Sequence, residues 1–458
     1  MLAPFRGIRY APHRVSDIAN VTSPPYDVIG SAGVDHLLVA DPHNIVRLIL
    51  PGLGPGISAD PAVGPATAGP ATAGAVAAAR LREWLVSGIL ARDPEPALYV
   101  YEQSAPGWLQ RGLIGLVPVG DPDSTGIFPH EDVMPGPVTG RRELMMATQA
   151  NLEPIFLVYN SGTSGPDSPV TAASPAPGSG GHGGPADREQ TPSASQLVDL
   201  TAEQRPPFIV AVTDDGVTHR LWRLSDPAEH AAVTADLAGR TALIADGHHR
   251  HAAYRELRNL MRDAGHGPGP WDYGLAFLVD GDAYPPRLGA IHRMIPSLLP
   301  ARAARLAGGA FAVRDLPGAD IETAMLALAD AGRDDHAFLL AGRDGFRLLC
   351  RPDAGRLAEA MPAEASDRWR SLDASVMREL LFARLWGIKD NERDVLVFHD
   401  AEEAMQAACA TSGTAVIANP VPFAAVKQLA AQGERVPRKS TSFGPKPRTG
   451  LIFRTFEP

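Results

Sequence analysis

Short apolar runs that read as strands alternate with stretches of helical spacing along most of this chain, and that alternation constrains its fold more than any other feature. ALYVY (97–101), RGLIGLVPV (111–119) and EPIFLVY (153–159) read as strands, with RRELMMATQAN (141–151) as a helix before the third. FIVAVTD and VTHRLWRL follow, then a helix beginning near Asp226-Pro227 and the strand TALIA (241–245). A helix from His248 places Ala253, Leu257, Leu260 and Met261 on one face. VAAARLREWLVSGIL (76–90) is also spaced as a helix. Near the end, DVLVFHD leads into a helix that Asp400 is placed to cap, and AVIANP is a further strand. Such alternation predicts an α/β chain of the mixed α+β kind, built on mixed sheets.

Two segments break the pattern. Residues 51–75 are mostly Pro, Gly and Ala, with the unit PATAG repeated at 65–69 and 70–74. Residues 161–196 hold 20 Gly, Pro or Ser among 36 positions. Neither has an apolar period that would offset its ordering entropy, so both are expected to be flexible excursions. The expected organisation is an N-terminal lobe (1–160), a linker or insertion (161–204), a central core (205–300) and a C-terminal lobe (301–458).

Composition narrows the function classes. Acidic residues outnumber basic ones by 52 to 42, a net charge of −10, which disfavours a fold-wide grip on nucleic acid or an anionic membrane. Two cysteines, no membrane-length apolar run and no apolar core of signal-peptide length at the N-terminus predict a soluble cytoplasmic protein. No lysine follows a glycine, so there is no P-loop, and HExxH, CxxC and GxSxG are missing. One GxGxxG string, Gly178 to Gly183, lies inside the Gly/Ser-rich segment with no strand before it and no helix after it.

The segment richest in chemistry is TALIADGHHRHAAYREL (241–257). A strand runs into Asp246-Gly247 and a helix begins within two residues, so its free N–H groups and dipole are placed to hold a phosphate. Gly247 allows a tight turn and close approach, and Arg250 offers a fork for phosphate oxygens. His248 and His249 supply donors or proton carriers, and Asp246 is placed to bind Mg²⁺ or orient a hydroxyl. The plainer alternative is that Asp246 caps the helix, Gly247 turns the chain and the histidines lie on the surface. A zinc site on His248 and His251 would need a third ligand that the sequence does not identify.

Three further clusters stand out. SPPYDVIG (23–30) stiffens a loop presenting Tyr26 and Asp27. IFPHEDVMPG (127–136) sets His130 and Glu131 between prolines. RKSTSFGPKPRTGLIF (438–453) gathers Lys439, Ser440, Thr441 and Lys446 in a basic loop suited to close over an anion.

SPPYDVI, Asn44 with Arg47-Leu48, FPHE, ANLEPIF, IADGHHR and KSTSFGPKPRTGL stand in the same order as in the bacterial and archaeal domain-of-unknown-function family numbered 1015, which the chain resembles outside its two insertions. Its DGHHR segment in turn resembles the nucleotide-binding signature of the ParB/sulfiredoxin superfamily, which includes kinases of free L-serine. The resemblance implies a ParB/sulfiredoxin-like core at 205–300, ATP or ADP with Mg²⁺ as cofactors, and O-phosphoserine as product. It implies phosphate binding at Gly247, His248 and Arg250, with Lys446 neutralising charge. Catalysis would fall to Asp246, His248, His249 and an upstream base, for which Glu131 is the match by order. Tyr26, Asp27, His130, Ser440 and Thr441 would meet the substrate. The chain departs from the family with Pro137-Val138-Thr139-Gly140-Arg141 after the PHE motif and with Ile291-His292-Arg293 further on. A metal-dependent phosphatase or phosphodiesterase and a non-catalytic nucleotide sensor remain as rivals.

Overall fold

The computed structural model describes residues 1–52, 70–162, 192–391 and 393–456. The first PATAG unit and the GxGxxG string at 178–183 fall outside them. The chain divides into two units: unit 1 comprises Met1–Ile127, Val133–Pro286 and Pro445–Pro458, and unit 2 comprises Phe128–Asp132 and Arg287–Gly444.

Unit 1 is built on a mixed eight-stranded sheet of β1 (Leu98–Ala105), β2 (Trp108–Pro118), β3 (Ile127–Phe128), β4 (Ile155–Tyr159), β5 (Ile209–Val212), β6 (Thr218–Leu224), β7 (Ala242–Asp246) and β8 (Tyr273–Asp280), in the order β3-β7-β4-β8-β2-β1-β6-β5. β4 runs parallel to β8 and antiparallel to β7. Every residue of β4 is buried, as expected of a continuous apolar run with both faces covered, whereas the edge strand β5 alternates buried and exposed. The central and N-terminal stretches thus share one sheet, so the expected breaks at 160 and 205 do not separate lobes. Apolar runs announce strands, but which strands pair is set by long-range contacts that local pattern does not carry.

Successive side chains point to opposite faces of that sheet. Leu98, Val100, Leu157, Ile244 and Leu278 face a core completed by helices α1 (Ala194–Gln204), α2 (Pro227–Asp236) and α3 (His248–Asp263) through Val198, Val233 and Leu257. The opposite face carries Tyr99, Tyr101, Phe156 and Phe277, with the Tyr101 and Phe277 rings 5.0 Å apart.

Two elements begin inside segments expected to be flexible. A helix spans Pro70–Val86, so the second PATAG unit forms its first turn and Ala73 is buried. Alanine is the strongest helix former, and Pro is tolerated at a helix start. Within 161–196, Ser193 caps α1 in a capping box, with its hydroxyl accepting from Gln196 N–H and the Gln196 side chain accepting from Ser193 N–H. The S-x-x-Q signature was legible but was masked by the surrounding Gly, Pro and Ser. We expect Ser193→Ala to lower stability by about 1 kcal/mol in urea titration, because a first-turn donor loses its acceptor.

Unit 2 holds a six-stranded antiparallel sheet of β9 (His292–Ile295), β10 (Ala312–Leu316), β11 (Ala337–Gly342), β12 (Gly345–Cys350), β13 (Leu396–Phe398) and β14 (Thr414–Ala418), in the order β10-β12-β11-β14-β9-β13. Its two faces are buried separately, Phe338 and Leu340 in one cluster and Ala337 and Leu339 in another. Asp400 caps α4 (Ala401–Thr411), accepting from Glu403 N–H at 2.9 Å. No helix among the described residues is long and apolar enough to cross a membrane.

Candidate functional site

The turn from β7 to α3 is shaped by its sequence. A register shift between Ile244 and Asp246 ends the regular ladder with β4. Gly247 follows at φ +90°, a conformation that costs other residues, and a Cβ there would approach Ile155 Cγ2 to 3.0 Å and the Arg250 guanidinium carbon to 3.2 Å. Gly247 is itself the N-cap, and no side chain caps α3. The reading of Asp246 as a mere cap is therefore set aside.

Asp246 is almost fully buried, and both its oxygens meet cations: Lys446 Nζ at 2.6 Å from Oδ1 and Arg250 Nη2 at 2.6 Å from Oδ2. Lys446 also lies 3.7 Å from Asp27 Oδ2. Burial opposes the Lys446 charge, but the Asp246 and Asp27 carboxylates outweigh it and hold the ammonium protonated far above neutral pH. Arg250 is 3% exposed and points inward, donating to Pro154 O at 2.6 Å as well as to Asp246. Both terminal nitrogens of the expected phosphate fork thus meet protein groups, whereas Arg250 Nε has no hydrogen-bond partner.

One residue that sequence reading passed over ties the cluster together. Glu153, the carboxylate of ANLEPIF, accepts from Tyr26 N–H at 3.1 Å and from the Thr449 hydroxyl at 3.4 Å, and lies 3.7 Å from Arg141. Burial raises its carboxyl above the usual range, against the pull of Arg250 and Arg141. Arg141 stacks over the Tyr26 ring at 4.1 Å, and Ser23 and Thr449 exchange backbone hydrogen bonds. Segments distant in sequence therefore meet in unit 1: SPPYD, ANLEP, IADGHHR and PKPRT. The only signal for Glu153 was its place in a quoted motif.

The histidines serve different ends. His249 Nε2 accepts from Met134 N–H at 3.1 Å, so that nitrogen carries no proton in this arrangement. His248 is half-buried in the first turn. His251 is buried, and its Nε2 has no hydrogen-bond partner. Burial, helped by nearby Arg255, pushes His251 down to about 4, and burial does the same for His219. These groups are neutral when folded and charge more readily when unfolded, so stability present above about 6.5 is lost as pH falls towards 4. We expect roughly 3 kcal/mol per histidine at most, read as a falling urea midpoint between pH 6.5 and 4, and a shallower fall in His251→Leu.

The remaining expected site residues lie in unit 2. His130 Nε2 is 2.8 Å from the Thr441 hydroxyl, and its ring lies 5.3 Å from Phe443. Glu131 Oε1 accepts from Lys439 N–H at 3.0 Å, where Lys439 adopts φ +53°, and Ser440 donates to Pro437 O. Arg293 donates to the carbonyls of Arg438 and Lys439. The PHE segment thus holds the KSTSFG loop in shape through side chains expected to meet substrate. The KSTSFGPK motif itself divides after Gly444, and only its Pro445-Lys446 end belongs to unit 1.

A magnesium ion on Asp246 does not fit this geometry, since both carboxylate oxygens face cations. Among the described residues, no group of three or more His, Cys, Asp or Glu is disposed to hold a metal ion.

The fold and this cluster define a mixed α/β chain with a cluster of ion pairs where a strand turns into a helix. The chain belongs to the family described as "Protein of unknown function (DUF1015)", whose model matches residues 2–174 and 187–375. Nothing among curated proteins matches it. Of solved structures, a free serine kinase in complex with AMP is 14% identical, covering 72% of this chain and 90% of its own, at a TM-score of 0.33. SbnI with a C-terminal truncation, from Staphylococcus aureus, is 10% identical, covering 72% and 82%, at 0.34. A conserved hypothetical protein from Pyrococcus furiosus is 13% identical, covering 72% and 93%, at 0.33. Likeness of this degree assigns neither a substrate nor a residue role to this chain.

Proposed function

We propose that this protein is a nucleotide-dependent phosphotransferase acting on a small hydroxyl metabolite. The observation that carries the reading is the half-buried lysine set between two carboxylates beside the start of α3, which no side chain caps. Phosphoryl transfer asks of a protein mainly positioning and charge neutralisation. The α3 first turn supplies N–H groups and the positive end of a dipole for phosphate oxygens. Lys446 has three N–H donors, of which Asp246 and Asp27 take at most two. The remaining donor is available to the transferring phosphoryl group.

Asp27 replaces Glu131 as the proposed base. It shares Lys446 with Asp246, whereas Glu131 is engaged with the Lys439 backbone in unit 2. In the step, the acceptor oxygen bonds to phosphorus, the bond from phosphorus to the nucleotide oxygen breaks, and the hydroxyl proton passes to the Asp27 carboxylate. A divalent ion is expected to arrive on the nucleotide phosphates rather than on Asp246. The metal-dependent phosphatase reading loses its ligand for the same reason.

Free L-serine is the acceptor to test first, from the sequence resemblance of DGHHR to serine kinases. The test is incubation of purified protein with ATP or ADP, magnesium salt and a panel of hydroxyl amino acids, followed by mass analysis. O-phosphoserine is the expected product. Phosphoester hydrolysis without nucleotide, or nucleotide binding with no phosphorylated acceptor from any member of the panel, would overturn the reading.

A further inference from the structure

Unit 1 contains a cavity of about 300 Å³ to which the foregoing reading gives no role. That volume lies at the lower end of ligand pockets, roughly 300–1,000 Å³. Its apolar side is formed by Val28, Ile29 and Leu37, where the proline-stiffened loop enters the helix Ser31–Ala40. Val28 is 40% exposed, a large apolar side chain left partly uncovered beside the cavity. The polar side is formed by Asp214 and Asp215, in the turn between β5 and β6, and by Arg448.

The polar side is fixed by a relay that runs through buried Tyr101, His219 and Thr213 to the exposed Asp215. Arg448 N–H donates to the Tyr101 hydroxyl at 3.1 Å, and that hydroxyl is 2.8 Å from His219 Nδ1. His219 Nε2 is 3.2 Å from the Thr213 hydroxyl, which donates to Asp215 Oδ1 at 2.5 Å. With His219 neutral, Nδ1 accepts from Tyr101 and Nε2–H donates to Thr213, so every proton in the series has a place. The Arg448 guanidinium donates to the Thr22 hydroxyl at 3.1 Å and carbonyl at 3.2 Å, leaving donors beyond these two. The Thr213 hydroxyl and the Val217 N–H both donate to Asp215 Oδ1, so Oδ2 remains an acceptor.

The cavity is joined to the phosphate cluster by the chain itself. Val28 and Ile29 directly follow Asp27, and Arg448 lies two residues beyond Lys446, at most roughly 7 Å along the backbone. We propose that this cavity holds the base of the nucleotide whose phosphates meet Lys446 and the start of α3, and that it selects a base carrying an amino group, which donates to Asp215. This assignment rests on the phosphotransferase reading above. Apolar contact with Val28, Ile29 and Leu37 supplies affinity, and Arg448 donates to the sugar hydroxyls or the first phosphate. A carboxylate faces an amino group favourably and a carbonyl oxygen unfavourably, so adenine is preferred to hypoxanthine at this position.

The experiment compares calorimetric affinities for ADP, IDP and inorganic pyrophosphate in the full chain. Wild type is expected to bind ADP at least tenfold more tightly than pyrophosphate and more tightly than IDP. Ala40→Trp, at an exposed position lining the cavity, is expected to remove the ADP advantage while leaving pyrophosphate affinity unchanged. Asp215→Asn should narrow the gap between ADP and IDP. If Ala40→Trp binds ADP as wild type does, the cavity is not the base subsite, and the phosphotransferase reading stands. If wild type binds neither ADP nor pyrophosphate, both readings fall. Should Ala40→Trp lower the melting temperature, the smaller Ala40→Leu is judged by the same criteria.

Discussion

Asp27→Asn is expected to lower phosphoryl-transfer turnover by roughly 10²–10⁴-fold while nucleotide affinity changes little, the loss typical of removing a positioned general base. Asparagine keeps the size of the side chain and an oxygen towards Lys446, but it cannot take the acceptor's proton. Affinity should persist because the α3 turn and the Lys446 ammonium are untouched. Single-turnover kinetics with preloaded nucleotide separate the two effects. Glu131→Gln is the control: the amide oxygen still accepts from Lys439 N–H, so turnover is expected near the wild-type value. If Glu131→Gln loses turnover and Asp27→Asn does not, the assignment of the base reverses.

Arg250→Ala should destabilise unit 1 by roughly 3–5 kcal/mol, the usual cost of removing one partner of a buried ion pair. Its guanidinium is almost fully buried between Asp246 and Pro154 O, and Glu153 and Asp246 hold it charged against its burial. Alanine would leave the buried Asp246 carboxylate to Lys446 and the buried Glu153 carboxylate to Arg141. Urea titration is the direct measurement, and Arg250→Lys should recover only part of the loss because an ammonium lacks the planar fork that reaches Asp246 and Pro154 O together. An Arg250→Ala protein as stable as wild type, with nucleotide affinity reduced, would restore Arg250 as a direct phosphate ligand.

Much of the local structure was legible because it depends on neighbours in sequence. The strand at 242–246, the glycine turn and the helix from His248 follow from an apolar run, a residue able to adopt positive φ and a helical period. Asp226 and Asp400 cap helices where their sequence placed them. Partnership was the harder part. That Lys446 would seek Asp246, 200 positions earlier, depends on the sheet order, which no local period encodes. Arg250 illustrates the same gap, because an arginine in a first helical turn reads equally as a phosphate fork or a buried brace. Glu153 was obscured by the strand it precedes.

The order in which the chain is made gives the split of unit 1 a further meaning. Residues 445–458 rejoin a unit whose other parts end at Pro286, after the 158 residues Arg287–Gly444 that belong to unit 2. A ribosome adding roughly 5–20 residues per second therefore completes β7, α3 and the Asp27 loop many seconds before Lys446 exists. Through that interval Asp27 and Asp246 lack their shared ammonium, and Asp246 has Arg250 as its cation. The cluster is complete only once the remainder of the polypeptide has been synthesised, so a chain cut short between residues 286 and 446 carries the turn and the helix but lacks both Lys446 and Arg448, and with them the charge beside Asp246 and one wall of the cavity.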